Sequence, residues 1–117
     1  MPYVLDNITA KPNDLNEAGC DWLGVAGRIY GAGVAEIEAG IGVRVSSDGW
    51  SNTCAFGKEL IYGAPGWEVY LDDHPKGGIW YAQVLDANGN PLSHRATFQT
   101  IVNCGTNLTI IDFRKIG

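Results

Sequence analysis

Short apolar segments with a period of two, each closed by a turn cluster, leave this chain little choice but a β fold. Ile79 to Leu85 is the clearest case: Ile79, Tyr81, Gln83 and Leu85 alternate with Trp80, Ala82 and Val84. Leu23 to Tyr30 sets Val25, Gly27 and Ile29 against Ala26, Arg28 and Tyr30. Ile41, Val43 and Val45 point inward beside an outward Arg44, and Trp67, Val69 and Leu71 do so beside Glu68 and Tyr70. Ala96–Ile101 and Leu108–Phe113 complete the set, with Leu108 and Ile110 on one face. Trp50–Ile61 reads as a short strand followed by an irregular loop.

Turns separate these runs: Gly31-Ala32-Gly33, Ser47-Asp48-Gly49, Tyr62 to Gly66, Asp72 to Gly78 and Asp86 to Pro91. The last contains Asn-Gly, which tolerates positive φ. Turn signals about every 8–12 residues, with no sustained helical period, predict an all-β antiparallel sandwich of about seven strands. A barrel is the alternative. The 16 glycines are spread along the chain, as many tight turns require, rather than gathered in a linker.

At 117 residues the chain is expected to make one domain, residues 20–117, preceded by an extended lead-in over residues 1–19. Pro2, Pro12, Asn13, Asp14 and Gly19 punctuate that lead-in, and Asp14 to Ala18 suits a single helical turn. Its start, Tyr3, Val4 and Leu5, is apolar enough to seek cover, and a neighbour's sheet edge is one way to find it. A net charge of -5 disfavours nucleic acid and a polybasic membrane contact. No apolar run approaches the ~20 residues that span a bilayer, so membrane insertion is not expected. The N-terminus lacks the pattern of a signal peptide, so an extracellular location would need a longer precursor or another export route.

Cys20, Cys54 and Cys104 contain no Cys-x-x-Cys pair, and no histidine stands at ligand spacing from them. Cys20 precedes the Leu23 strand and Cys104 precedes the final one. First and last strands that lie side by side and parallel would bring these two cysteines to the same end of the sheet. A Cys20–Cys104 disulfide is therefore expected, with three reduced thiols in a cytosolic protein as the alternative. Cys54 is left over and suits a small buried hydrophobe.

Taken in order, five segments carry a family resemblance. They are Gly24-Val25-Ala26-Gly27-Arg28-Ile29, Ile41 to Val45, Pro65 to Leu71, Gly78 to Asp86 and Asn88 to Ser93. Together they resemble the transthyretin-like, immunoglobulin-like domains called carboxypeptidase-regulatory-like or Cna-B-like, found in bacterial surface and secreted proteins. The resemblance implies a sandwich of about seven strands and a structural, adhesive or carbohydrate-associated role, without catalysis. Such domains often carry a Lys–Asn isopeptide bond. Here Arg28 stands where the lysine is needed, so none is expected although Asn107 and Glu68 are present.

Candidate chemistry is thin. Ser93 and His94 are adjacent, so on an extended segment they point to opposite faces and do not form a hydrolytic pair. His74 stands beside Asp72 and Asp73 in a loop. Asp86, Asn88 and Asn90 have calcium-loop spacing but lack the distal Glu, and a hairpin turn explains them better. No cofactor or metal is expected. Trp22, Trp67, Phe98 and Phe113 suit the core, whereas Trp50, Tyr62, Tyr70 and Trp80 fall on outward positions or near turns. Exposed rings of this kind stack on sugars or anchor protein contacts. Asn7-Ile8-Thr9 and Asn107-Leu108-Thr109 are glycosylation triplets that fit an exported chain weakly. The expected function is a non-catalytic extracellular structural or interaction module that packs with copies of itself or with neighbouring domains. A carbohydrate-binding module that engages polysaccharide is the alternative.

Overall fold

Trp67, Val25, Val43, Val45, Val84 and Phe113 are shut off from solvent between two facing β sheets. The computed structural model describes residues 1–55 and 66–117, and these form eight strands, one short α-helix and a 3-10 turn at Cys104–Thr106. The first sheet has the order β1-β8-β2-β5: β1 (Tyr3–Lys11), β8 (Leu108–Lys115), β2 (Leu23–Tyr30) and β5 (Gly66–Asp72). The second has the order β4-β3-β6-β7: β4 (Trp50–Ala55), β3 (Gly42–Ser47), β6 (Gly78–Leu85) and β7 (Ala96–Thr100). Helix α1 (Val34–Glu38) carries the chain from β2 in the first sheet to β3 in the second. The expected all-β sandwich is therefore what the chain adopts.

The strand count is eight rather than about seven because the first part of the lead-in, Tyr3–Lys11, is a strand. Tyr3–Lys11 pairs antiparallel with β8 as the edge of the first sheet. Tyr3 is buried, and its N–H donates to the Leu92 carbonyl at 3.0 Å, tying β1 to the chain beyond β6. The remainder of the lead-in folds over the outer face of the first sheet. There Leu15 and Ile110 pack against a second small core of Trp22, Ala26 and Leu108. Leu108 and Ile110 do share a face, but it is this outer one; Ile111 and Phe113 belong to the main core.

Among the described residues the ladders are antiparallel apart from β2 and β8, which run parallel from Gly24 opposite Leu108 to Tyr30 opposite Arg114. Cys20 and Cys104 stand just before the starts of these two strands and form a disulfide, with 5.1 Å between their Cα atoms. Asn107, 1% exposed, clamps the same corner. Its Oδ1 accepts from the Asn13 N–H at 2.7 Å, and its Nδ2 donates to the Gly19 and Trp22 carbonyls at 2.8 and 3.0 Å. That amide is committed to the fold, so the second glycosylation triplet is not accessible. Asn7 of the first triplet is exposed on β1.

Two glycines let β2 be covered on both sides. The ring of Trp22 lies where a Cβ on Gly24 would stand, 2.2 Å from the nearest carbon. A Cβ on Gly27 would be 1.8 Å from the Ile111 carbonyl oxygen. Beside Gly27 the parallel ladder is interrupted, and the Asp112 carboxylate accepts the Arg28 N–H at 2.9 Å in place of a backbone carbonyl.

Two outcomes follow for stability. The disulfide closes a loop of 84 residues in sequence separation. The chain-entropy relation gives such a closure about 4–5 kcal/mol, and the Cys20→Ser, Cys104→Ser protein should lose that amount in urea unfolding. Gly27→Ala forces a methyl into backbone that cannot yield as a flexible side chain would, and should cost about 3 kcal/mol. A Gly27→Ala protein with an unchanged denaturation midpoint would contradict this packing.

Candidate interaction surfaces

The β3–β4 hairpin and the β5–β6 loop meet at the end of the sandwich that carries the disulfide. Ser47 pairs with Trp50 across a two-residue turn, where Gly49 takes φ 72°. By register Trp50 falls in phase with Asn52 and Cys54, which oppose the buried Val45 and Val43. Trp50 therefore lies on the core-facing side of β4, at its open end, and remains 37% exposed. Cys54, outside the disulfide, packs against the main core and is partly buried, close to its expected role.

Trp80 differs from expectation: it is 5% exposed, a core residue and not a surface ring. Its indole Nε1 donates to Thr100 Oγ1 at 2.9 Å, which satisfies the one polar group that burial would otherwise penalise. Either phase of β6 is apolar, and this hydrogen bond favours the phase that places Trp80 with Ala82 and Val84 inside. Trp50 meets Trp80 edge to face, with ring centroids 5.7 Å apart and planes at 84°. The Lys76 ammonium lies 5.6 Å from the centre of the Trp80 ring and 2.7 Å from an Asp72 carboxylate oxygen. Ser47, Asp48, Trp50, Leu71, Lys76 and Trp80 together line a cleft of about 220 Å³.

Beside this cleft, His74 Nδ1 lies 2.6 Å from Asp73 Oδ1 and 3.4 Å from Asp72 Oδ1. The trio is close enough to hold a cation, but the Lys76 ammonium already occupies the other oxygen of Asp72. Lys76, then the Asp73 N–H, holds the Asp72 carboxyl down to about 2. At the Asp86 turn the carboxylate accepts from the N–H groups of Asn88 and Asn90 and from the Asn90 side chain, the hydrogen-bond pattern of a closed hairpin turn. Ser93 is buried. Its hydroxyl accepts from the Val84 N–H at 3.0 Å and donates to the His94 carbonyl at 2.9 Å, a structural bridge rather than a nucleophile poised by a base.

The other predicted rings are not brought together. Tyr70 is 50% exposed on the outer face of β5, opposite in phase to Trp67, Val69 and Leu71. Tyr62 lies outside the described residues.

The second surface is β1 itself. A bulge between Leu5 and Asn7 leaves Asp6 without a partner in the register. Leu5 then opposes Phe113 and Ile8 opposes Ile111, so both stand on the core-facing side although three residues apart. They are nevertheless 45% and 38% exposed, because β1 overhangs the second sheet. A groove of about 210 Å³ runs along the base of this ledge, lined by Tyr3, Val4, Leu5, His94, Arg95 and Ala96. Of the expected assembly residues, Tyr3 is thus used inside the fold, and Leu5 is the one offered to solvent. Ile8 was not anticipated; only the bulge brings it into phase.

Compared with known protein families, curated proteins and solved structures, the chain has no significant match.

The Asp72–Lys76 pair gives a sign-definite pH response. A depressed carboxyl stabilises the loop above its ordinary value of 3.8, and that contribution disappears as pH falls through about 2. Carboxyl-carbon NMR should place the Asp72 midpoint near about 2 and move it back towards 3.8 in Lys76→Gln. An unmoved midpoint would show that the ammonium is not the cause.

Proposed function

We propose that this chain is a non-catalytic structural module of an extracellular assembly, and that it packs against a second copy of itself along β1. The observation that carries the reading is the apolar ledge of Leu5 and Ile8 on an exposed edge strand. An edge strand presents unpaired backbone groups on its outer side, and an identical strand can add to it about a two-fold axis. An antiparallel register with Leu5 opposite the copy's Ile8 removes both apolar side chains of each chain from water. It also continues the first sheet across the pair.

Three further features support this reading. The Cys20–Cys104 bridge is exposed at both cysteines and suits an oxidising compartment. Among the described residues no helix is long and apolar enough to cross a membrane. The five segments resemble transthyretin-like surface modules, and that resemblance implies a role in adhesion and assembly. The reading as non-catalytic rests on Ser93, whose hydroxyl is committed to the backbone of Val84 and His94.

Sedimentation equilibrium tests the interface. The wild-type chain should show a concentration-dependent dimer, and Leu5→Lys combined with Ile8→Lys should be monomeric with its thermal midpoint essentially kept. A wild-type chain that stays monomeric into the high micromolar range, or a variant that still dimerises, would remove β1 as the contact.

A further inference from the structure

We propose that the Trp50 cleft is a binding site for one neutral pyranose ring of a polysaccharide, on a surface separate from the β1 ledge. The indole of Trp50 is part of the cleft lining. Its edge-to-face contact with Trp80 fixes its tilt. Trp80 is itself held by burial, by the hydrogen bond to Thr100 and by Lys76 over its ring. The exposed part of Trp50 is therefore a pre-set apolar platform rather than a loose side chain, and ordering it on binding costs little.

The polar groups around that platform form a mixed set. Lys76 spends one N–H on Asp72 and keeps the others for a ligand. The Ser47 hydroxyl donates to the Ile79 carbonyl at 3.0 Å, so its oxygen remains an acceptor. Asp48, exposed in the hairpin turn, adds a carboxylate acceptor. A pyranose matches this arrangement, because it presents C–H groups on its flat face and hydroxyls that both donate and accept around its rim. The volume of about 220 Å³ lies below the range of drug-sized pockets and suits a single ring.

Charge narrows the class. Among the described residues lining or flanking the cleft, Asp48, Asp72 and Asp73 outnumber the ammonium of Lys76, so uronic acids and phosphorylated sugars meet net repulsion. A cationic ligand is disfavoured for a different reason: Lys76 already holds the cation position over Trp80.

Methyl glycosides of glucose, galactose, mannose and N-acetylglucosamine are the probes, with a methyl glucuronide as the charged control. The indole N–H signals of Trp50 and Trp67 are followed by NMR in the intact chain. At least one neutral glycoside should shift the Trp50 signal saturably in the millimolar range and leave the buried Trp67 unmoved. The glucuronide should bind at least about tenfold more weakly. Binding should be lost in Trp50→Ala and weakened about tenfold in Lys76→Gln, a charged donor removed. Asp48→Ala, in an exposed turn, should weaken binding without altering the melting curve, and it decides the matter if Trp50→Ala fails to fold. The Leu5→Lys, Ile8→Lys protein should respond to sugar like the wild type, which separates this site from the β1 contact. The proposal is overturned if no neutral glycoside moves the Trp50 signal, if the glucuronide binds as well, or if Asp48→Ala binds unchanged.

Discussion

The parallel pairing of β2 with β8 is the constraint on which everything else hangs. It joins segments from opposite ends of the chain, so its closure entropy must be met before any of its contacts form. Three devices gather at its starting corner: the disulfide, the Asn107 clamp and the two-sided burial of β2. Once these strands are registered, β8 offers its free side to β1 and β2 offers its own to β5. The end of β5 then fixes where Asp72 and Lys76 reach the second sheet, and hence where the Trp50 cleft opens.

Much of this was legible in the alternation. Strands buried on one face against the other sheet announce themselves, and Trp67, Val69, Leu71, Val43 and Val45 all lie inside as their phase required. The disulfide was legible for a topological reason: each cysteine sits just ahead of one of the two parallel strands. β1 was harder, because an overhanging edge strand has no buried side against which alternation can develop. Only Tyr3 in it is fully buried, so it reads as an arm. Trp80 misleads for another reason. Both phases of β6 are apolar, and the choice between them depends on a hydrogen bond to Thr100, twenty residues away in sequence. Ile8 was invisible as a partner of Leu5, since a period of two sets them on opposite faces and only an unanticipated bulge restores them to one.

The bulge has a second consequence. A long flat edge invites open-ended pairing, and proteins blunt it with bulges and charges. Here Asp6, at the bulge, is paired with Arg114 at 3.2 Å. The interruption bends the strand and limits regular ladder formation, yet it is the same feature that aligns Leu5 with Ile8. A self-complementary contact about a two-fold closes on itself, whereas a head-to-tail edge contact propagates. On the opposite sheet, β7 is short and turns Thr97 and Gln99 to solvent, which makes it a poor partner for β1. A head-to-tail contact between β1 and β7 would therefore cover little apolar surface.

The two ends of the β2–β8 ladder are secured by different physics. At the start the brace is covalent and answers to redox conditions. At the far end Lys115 of β8 pairs with Glu36 of α1, whose carboxylate also accepts the Gly33 N–H at 2.8 Å. The Lys115 hydrogen bond, then the one from Gly33, holds the Glu36 carboxyl down to about 2 from an ordinary value of 4.5. Because the folded value is depressed, the tie is present above 4.5 and is lost only as pH falls through about 2. Between these values the contribution of the tie declines with pH, while a reductant reaches the exposed Cys20–Cys104 bridge directly. The tie at the far end thus answers to pH and the brace at the start to reductant, so one ladder is held under two separate conditions.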